Sequence, residues 1–412
     1  MTKLFRPARR AVLQLAWTAG LSLGMTGVPV VGWAAAPVSL ASAMFSPRAA
    51  AMPAVPEVAA RAFILQDVGS RQTLGERQAD QPLPPASLTK LMSAYLVFQA
   101  LESGKLKSDQ ALTVSDKAWR AGLNGAVRIA AAPNATLRVD DLIRAMTVLN
   151  ANDATIALAE GVAGSVDAFV DMMNRQAQSW GLTATHFQNA DGTAERQHLS
   201  TARDLSYIAA RLVLDFPSAL PYYAPKSITV EGVPQASRNL LLLRDPSVDG
   251  LQAGYTESGG YAQVATSRRT IAGVERRLIS VVLGANSSEA RAGESQKLLN
   301  WGYSAFDVVK LFDAGQPVTT AKVWKGGSST VPIGRPEPLI VVVPRGQGKL
   351  LKTQLTRPDP LMAPLLKGQN VATLQITLGG QPWQSRPLQA LEAVPSAGWL
   401  GRVWDAIRLG IQ

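Results

Sequence analysis

Pro85-Ala86-Ser87-Leu88-Thr89-Lys90-Leu91-Met92 is the stretch on which the reading of this chain turns. Pro82, Pro84 and Pro85 hold the approach extended, and a helix is predicted to start near Ser87 with Leu88, Leu91, Met92 and Tyr95 on one face. Ser87 and Lys90 stand at i and i+3, so on a helix the lysine amine reaches the serine hydroxyl. Serine is a weak nucleophile and needs a base. The chain has only two histidines, His186 and His198. A lysine desolvated in a cleft serves instead, because burial lowers its pKa toward neutrality. A serine just inside a helix start also has backbone N–H groups nearby to hold an oxyanion. Ser-x-x-Lys alone is common on ordinary helix surfaces, so its meaning depends on what surrounds it.

Outward from this octapeptide the pattern mixes strand and helix. Arg61–Asp67 reads as a strand closed by a turn at Gly69-Ser70. A mostly helical middle runs from about Val139 to Leu214, with pieces at Asp140–Leu149, Ala154–Val162 and Ser165–Trp180, the last with a serine N-cap. In it, Phe169 and the Met172-Met173 pair read as core-face residues. Strand-like segments return at Ser227–Glu231, Tyr261–Thr266 and Leu278–Leu283, followed by a helix carrying Leu298, Leu299 and Trp301. Helices between sheet segments predict a mixed α/β domain over residues 59–310. Val318–Val323, Leu339–Val343, Val371–Leu378 and Leu388–Leu391 are short β-rich runs between Gly and Pro turns, predicting a small all-β domain over 311–394.

The two ends read differently. Lys3, Arg6, Arg9 and Arg10 precede an apolar run from Ala11 to Trp33, which suits a signal peptide over 1–34 cleaved after Ala34 or after Ala36. An uncleaved membrane anchor is the alternative, since the run is long. Residues 35–58 are an Ala/Pro-rich spacer. At the other end Leu400, Val403, Trp404, Ile407 and Ile411 share one helical face, with Arg402, Asp405 and Arg408 on the other. This predicts an amphipathic helix over 395–412 lying in a membrane interface; docking on the β domain is the alternative.

Composition narrows the function. The chain has 412 residues and no cysteine, which removes disulfides, thiolate metal sites and cysteine nucleophiles. Two histidines are too few for an imidazole zinc site, so no metal and no cofactor is expected, and neither histidine has the spacing of a Ser-His-Asp triad. The formal charge is +11, of which the four basic residues of the first segment account for four, leaving +7. That excess in an exported protein suits anionic headgroups or an anionic wall polymer, and no nucleic acid.

Several stretches in order carry a resemblance to a known family. Pro85–Met92 is similar to the nucleophile helix of the low-molecular-mass penicillin-binding D,D-carboxypeptidases. Asn152-Asp153-Ala154, Ala157–Glu160 and Gly164–Val170 resemble the family's second motif and the helix after it. Thr185-His186-Phe187, Ser200–Asp204, Val248–Leu251 and Gly259-Gly260-Tyr261 continue in the same order, and the match runs from about Arg61 to the C-terminus. The resemblance implies a transpeptidase-like α/β domain followed by a β domain that lifts it off the membrane. It also implies attack by Ser87 on the terminal D-Ala-D-Ala bond of the peptidoglycan pentapeptide, through an acyl-serine that β-lactams would also form. Lys90 and Asn152 are the implied catalytic partners, on the periplasmic face of the cytoplasmic membrane.

Two motifs depart from the family. Ser-x-Asn reads Asn150-Ala151-Asn152, which puts a carboxamide where a hydroxyl relays a proton to the leaving amine. Lys-Thr-Gly reads Gln252-Ala253-Gly254, which removes a charge and the hydroxyl that contacts the substrate carboxylate. Each lost charge-assisted contact costs about 1.5–3 kcal/mol. Arg238 resembles an arginine that meets the substrate carboxylate, one residue nearer the third motif than usual, and Arg244 is a second candidate for that charge; a solvated surface role is the alternative for Arg238. The expectation is a weakened D,D-carboxypeptidase with Asn150, Arg238, Gln252, Ala253 and Gly254 lining the substrate. The alternative is a binding module for wall peptides or partner proteins. A class A β-lactamase fits neither the β domain nor the terminal helix.

Overall fold

The computed structural model describes residues 52–399 apart from 124–127, 130–131, 231 and 272. The expected signal peptide, most of the spacer and residues 400–412 of the expected terminal helix lie outside these residues.

A six-stranded antiparallel sheet organises the first part. Its strands are β1 (Ala62–Asp67), β2 (Gln72–Arg77), β3 (Val248–Gly250), β4 (Ala253–Thr256), β5 (Gly260–Ile271) and β6 (Val274–Ala285). They lie in the order β2-β1-β6-β5-β3, with β4 also paired to β5. Four helices matter to the site: α1 (Lys90–Glu102), α2 (Asn152–Ala163), α3 (Val166–Ser179) and α4 (Ala202–Asp215). Leu88, Leu91 and Met92 share one core with Phe169, Met173, Ile208 and the sheet residues Ile64 and Val281. A fifth helix, α5 (Ser288–Ser304), packs Leu298 and Leu299 with Phe63, Leu65 and Leu278 in a second cluster.

The expected helix over Asp140–Leu149 is an α-helix only to Arg144; Ala145–Leu149 closes as a π-turn. That turn delivers Asn150 in the left-handed region at φ 65, which asparagine tolerates better than most residues. Strands β5 and β6 are twelve residues each, twice the apolar runs that announce them. Their extensions carry polar residues because ladder bonds need only backbone. The buried Arg276 is neutralised by Asp67 at 2.7 Å and donates to the Gly302 carbonyl at 2.8 Å.

The second part is all β. Pro317–Trp324, Thr330–Gly334, Leu351–Thr356, Leu361–Met362, Asn370–Leu378 and Gln381–Ala390 form a six-stranded sheet, and Phe306–Phe312 pairs with Leu339–Pro344. The strand Phe306–Phe312 spans the position at which the composition changes. Val331, Ile333, Val341, Leu374 and Leu388 form its own apolar core. The two parts meet at the β1–β2 turn: the Gln72 amide donates to the Val342 carbonyl at 3.0 Å and accepts from its N–H at 2.7 Å.

Candidate active site

Ser87 sits in a short 3-10 turn, Ala86–Thr89, that precedes α1, so the α-helix itself begins at Lys90. In a 3-10 turn i and i+3 eclipse, which places Ser87 and Lys90 on the same side. Ala86 has φ 52, an uncommon conformation for a residue with a side chain and one that recurs at functional sites. Neighbouring glycines press on this turn. A Cβ on Gly254 of β4 would lie 2.9 Å from the Ser87 nitrogen, and one on Gly192 would lie 1.9 Å from the Ala86 carbonyl oxygen. Only glycine allows either backbone to come so near.

Lys90 is fully buried and donates to Asn152 Oδ1 at 2.7 Å and to the Asp191 carbonyl at 2.6 Å. Burial brings its amine down to about 8, against the opposing pull of Asp191 and Asp153. A neutral amine has two N–H bonds and one lone pair. Two carbonyl-type acceptors use the first pair and leave the lone pair for a hydroxyl. Asn152 is the first residue of α2, whose start is set by Ala151 in extended conformation.

Asn150 donates from Nδ2 to the Ala253 carbonyl at 2.6 Å, tying the second motif to β4. Its buried Oδ1 has no partner among the described residues. Gln252 is 1% exposed, and neither of its amide atoms has a partner among the described residues. Ala253 and Gly254 are buried on β4. Arg238 is exposed, and its N–H donates to the Val148 carbonyl at 3.1 Å, which holds it beside the second motif. Arg244 lies at the exposed end of a one-turn helix, Leu241–Arg244. The structure thus joins Lys90 to Asn152 and Asn150 to Ala253 by hydrogen bonds and sets Gly254 against Ser87, with Arg238 at the margin.

Two residues here escaped the sequence reading. Arg291 donates to the Gly254 carbonyl at 2.6 Å and to the Arg238 carbonyl at 3.3 Å, bracing both from behind. Burial lowers its pKa to about 10. Its signal was available: Arg291, Ser295, Leu298, Leu299 and Gly302 share the inward face of α5, where an arginine needs carbonyl partners. Asp191 supplies a backbone acceptor, and no side-chain pattern marks that. His198 is neutral, brought down to about 4 by burial. Its Nδ1 accepts from the Gln188 N–H at 3.1 Å, so Nε2–H donates to Thr89 Oγ1 at 2.7 Å and steadies the turn that carries Ser87. His186 is exposed. A cavity of about 630 Å³ lined by Phe98, Leu101, Phe216 and Tyr222, at the other end of α1, includes none of these groups.

A family model described as D-alanyl-D-alanine carboxypeptidase matches residues 49–287, and one described as penicillin-binding protein 5, C-terminal domain, matches residues 306–396. The D-alanyl-D-alanine carboxypeptidase DacC of Escherichia coli is 40% identical over 359 residues, 86% of this chain and 89% of its own. Penicillin binding protein 5 from Haemophilus influenzae is similar in structure, with a TM-score of 0.78 at 33% identity over 84% of this chain and 100% of that one. Penicillin-Binding Protein D2 from Listeria monocytogenes, solved in a cefotaxime-bound form, is similar over 61% of this chain and 100% of that one, with a TM-score of 0.55 and 31% identity.

Proposed function

The chain belongs to the serine-type D-alanyl-D-alanine carboxypeptidase family, and on that premise we propose that it trims the terminal D-Ala from peptidoglycan pentapeptides through an acyl-Ser87 intermediate. The observation that carries this reading is the buried Lys90 amine, held by Asn152 and Asp191 at i+3 from Ser87. Neutral Lys90 takes the Ser87 hydroxyl proton as Ser87 Oγ bonds to the carbonyl carbon of the penultimate residue. The C–N bond then breaks, D-Ala leaves with the proton on its amine, and water releases the shortened peptide. Arg238 meets the substrate carboxylate, and Gly254 lets the substrate backbone approach. β-Lactams acylate the same oxygen.

Asn150, Gln252 and Ala253 support a second reading, a wall-peptide or partner-protein binding module without turnover. Incubation with a peptide ending in D-Ala-D-Ala and quantification of free D-Ala separates the two. Release that depends on Ser87 supports the enzyme. Binding of the peptide without release leaves the binding module.

The base also sets a pH dependence. The acylation rate should rise about tenfold per pH unit below about 8 and level off above it, as the neutral fraction of Lys90 saturates. Rates of β-lactam adduct formation between about pH 6 and 9.5 check this. A flat profile would remove Lys90 as the base. Lys90 titrates lower in the fold than in the unfolded chain, whose lysines titrate near 10.4. Between about 8 and that value the unfolded chain binds the extra proton, so the stability tied to this group rises with pH across the window.

The protein is proposed to be exported and held on the periplasmic face of the cytoplasmic membrane by the 395–412 segment, through its apolar face with Arg402 and Arg408. Among the described residues no helix is long and apolar enough to cross a membrane. Truncation before Ser396 is expected to release the protein from membranes. Continued sedimentation of the truncated chain with membranes would point to an uncleaved N-terminus instead.

A further inference from the structure

A pocket of about 290 Å³ opens where the β1–β2 turn meets the β part, lined by Arg71 from that turn and by Arg335, Glu337, Asn370, Arg386 and Gln389 from the β part. Three arginines and one glutamate thus line it, leaving an excess of two positive charges. Arg335 donates to Glu337 at 3.0 Å and to the Pro387 carbonyl at 3.2 Å. Its Nε is buried and has no partner among the described residues. Arg386 donates to the Ser70 carbonyl, and its pKa is lowered by burial and then by the charges of Arg335 and Arg71. Mutual repulsion of this kind is unfavourable unless something offsets it.

Arg71 adds an independent sign. It occupies the left-handed region at φ 57, where glycine or asparagine sits at less cost. Its side chain is exposed and forms no ion pair among the described residues, so the guanidinium is available to a ligand. The two parts therefore place three arginines around a cavity of small-molecule size, with Asn370 and Gln389 as neutral donors beside them.

We propose that this pocket binds a phosphoryl oxyanion, gripped by Arg71, Arg335 and Arg386, and that the bound anion fastens the α/β part to the β part. A dianionic phosphate matches the two excess charges, and guanidinium forks match its oxygens. The phosphoryl group comes from free phosphate or from an organic phosphate monoester, both of which reach the dianionic state; the chemistry of recognition is shared.

The test uses the full chain with two probes, inorganic phosphate and glycerol 3-phosphate, against chloride at constant ionic strength. Saturable calorimetric binding and a rise in unfolding temperature are expected for the wild type, because a ligand of the folded state alone stabilises it by mass action. Arg71→Gly should bind at least about tenfold more weakly, the loss of one charge-assisted contact. Its unfolding temperature without phosphate should stay close to wild type, since relief of the left-handed turn offsets the freedom glycine gains in the unfolded chain. Arg335→Gln should weaken binding similarly. Tighter binding of glycerol 3-phosphate assigns an organic phosphate monoester, and tighter binding of free phosphate assigns the ion. Absence of saturable binding of either probe up to about 20 mM, or equal affinity in wild type and both variants, overturns the proposal.

Discussion

Ser87→Ala is expected to abolish the covalent β-lactam adduct, and Lys90→Met to slow adduct formation by about 10²–10⁴-fold, the range for loss of a positioned general base. The two variants probe different things. Ser87 is partly exposed in its turn, and removing its hydroxyl leaves the surrounding packing intact. Lys90 is completely buried, so Lys90→Ala would leave a cavity as well as unpartnered acceptors at Asn152 Oδ1 and the Asp191 carbonyl. Methionine keeps most of the volume and removes the amine. Intact-mass spectrometry reads the adduct, and thermal unfolding verifies that each variant is folded. The remaining rate in Lys90→Met should also lose the rise toward pH 8 expected of the wild type. A wild-type rate of acylation in folded Lys90→Met, or an adduct in Ser87→Ala, would falsify the assigned roles.

The second large effect is a gain. Gln252→Lys with Ala253→Thr is expected to raise turnover of a D-Ala-D-Ala peptide by at least about tenfold, the equivalent of one recovered charged hydrogen bond. Gln252 is the informative position. A buried amide with two unpartnered atoms is already unfavourable, so replacing it forfeits no internal hydrogen bond seen here. The new ammonium stands next to Ala253, whose carbonyl accepts from Asn150, two residues before the Asn152 that holds Lys90. A like charge there should lower Lys90 further and move the acylation rise to lower pH. Adding Asn150→Ser should raise turnover again by supplying a proton relay. That change also has a structural cost: it removes the bond from Asn150 to the Ala253 carbonyl and puts serine at φ 65, together about 1–2 kcal/mol. A folded triple variant that binds the peptide without releasing D-Ala would place the lesion elsewhere, in the shortened segment after Arg238 or a pocket residue, and would favour the binding module.

Local patterns in the chain were enough for much of the fold. Ser165 caps α3 as its position before the apolar periodicity predicts, with its side chain accepting from the Ala168 N–H at 3.2 Å. The core face of α3 follows from spacing, because a period of 3.6 decides which side chains leave water, whereas β1 and α1 are apolar nearly throughout and are buried on almost every side. The lengths of β5 and β6 do not follow from spacing. Their outer halves are polar, and they continue because Arg268–Ile271 pairs with Val274–Arg277 across the hairpin while Asp67 takes up the charge of Arg276.

The candidate site divides in the same way. Ser87 and Lys90 are three residues apart, and the order of motifs down the chain identifies the family, so the sequence by itself determined the family and the α/β-then-β plan and put forward Ser87 and Lys90 as the proposed nucleophile and base. What only the tertiary structure decided is the state of those groups. The Lys90 amine is brought down to about 8 by burial, in a place where a carbonyl 101 residues away, at Asp191, and the Asn152 carboxamide hold it. Gln252 turns out to be buried and unsatisfied, and Arg291 emerges as the brace behind β4. The physical reason is one of range. Propensity and periodicity act over a few residues, whereas desolvation and hydrogen-bond partners depend on which distant segments close over a group once the core has formed.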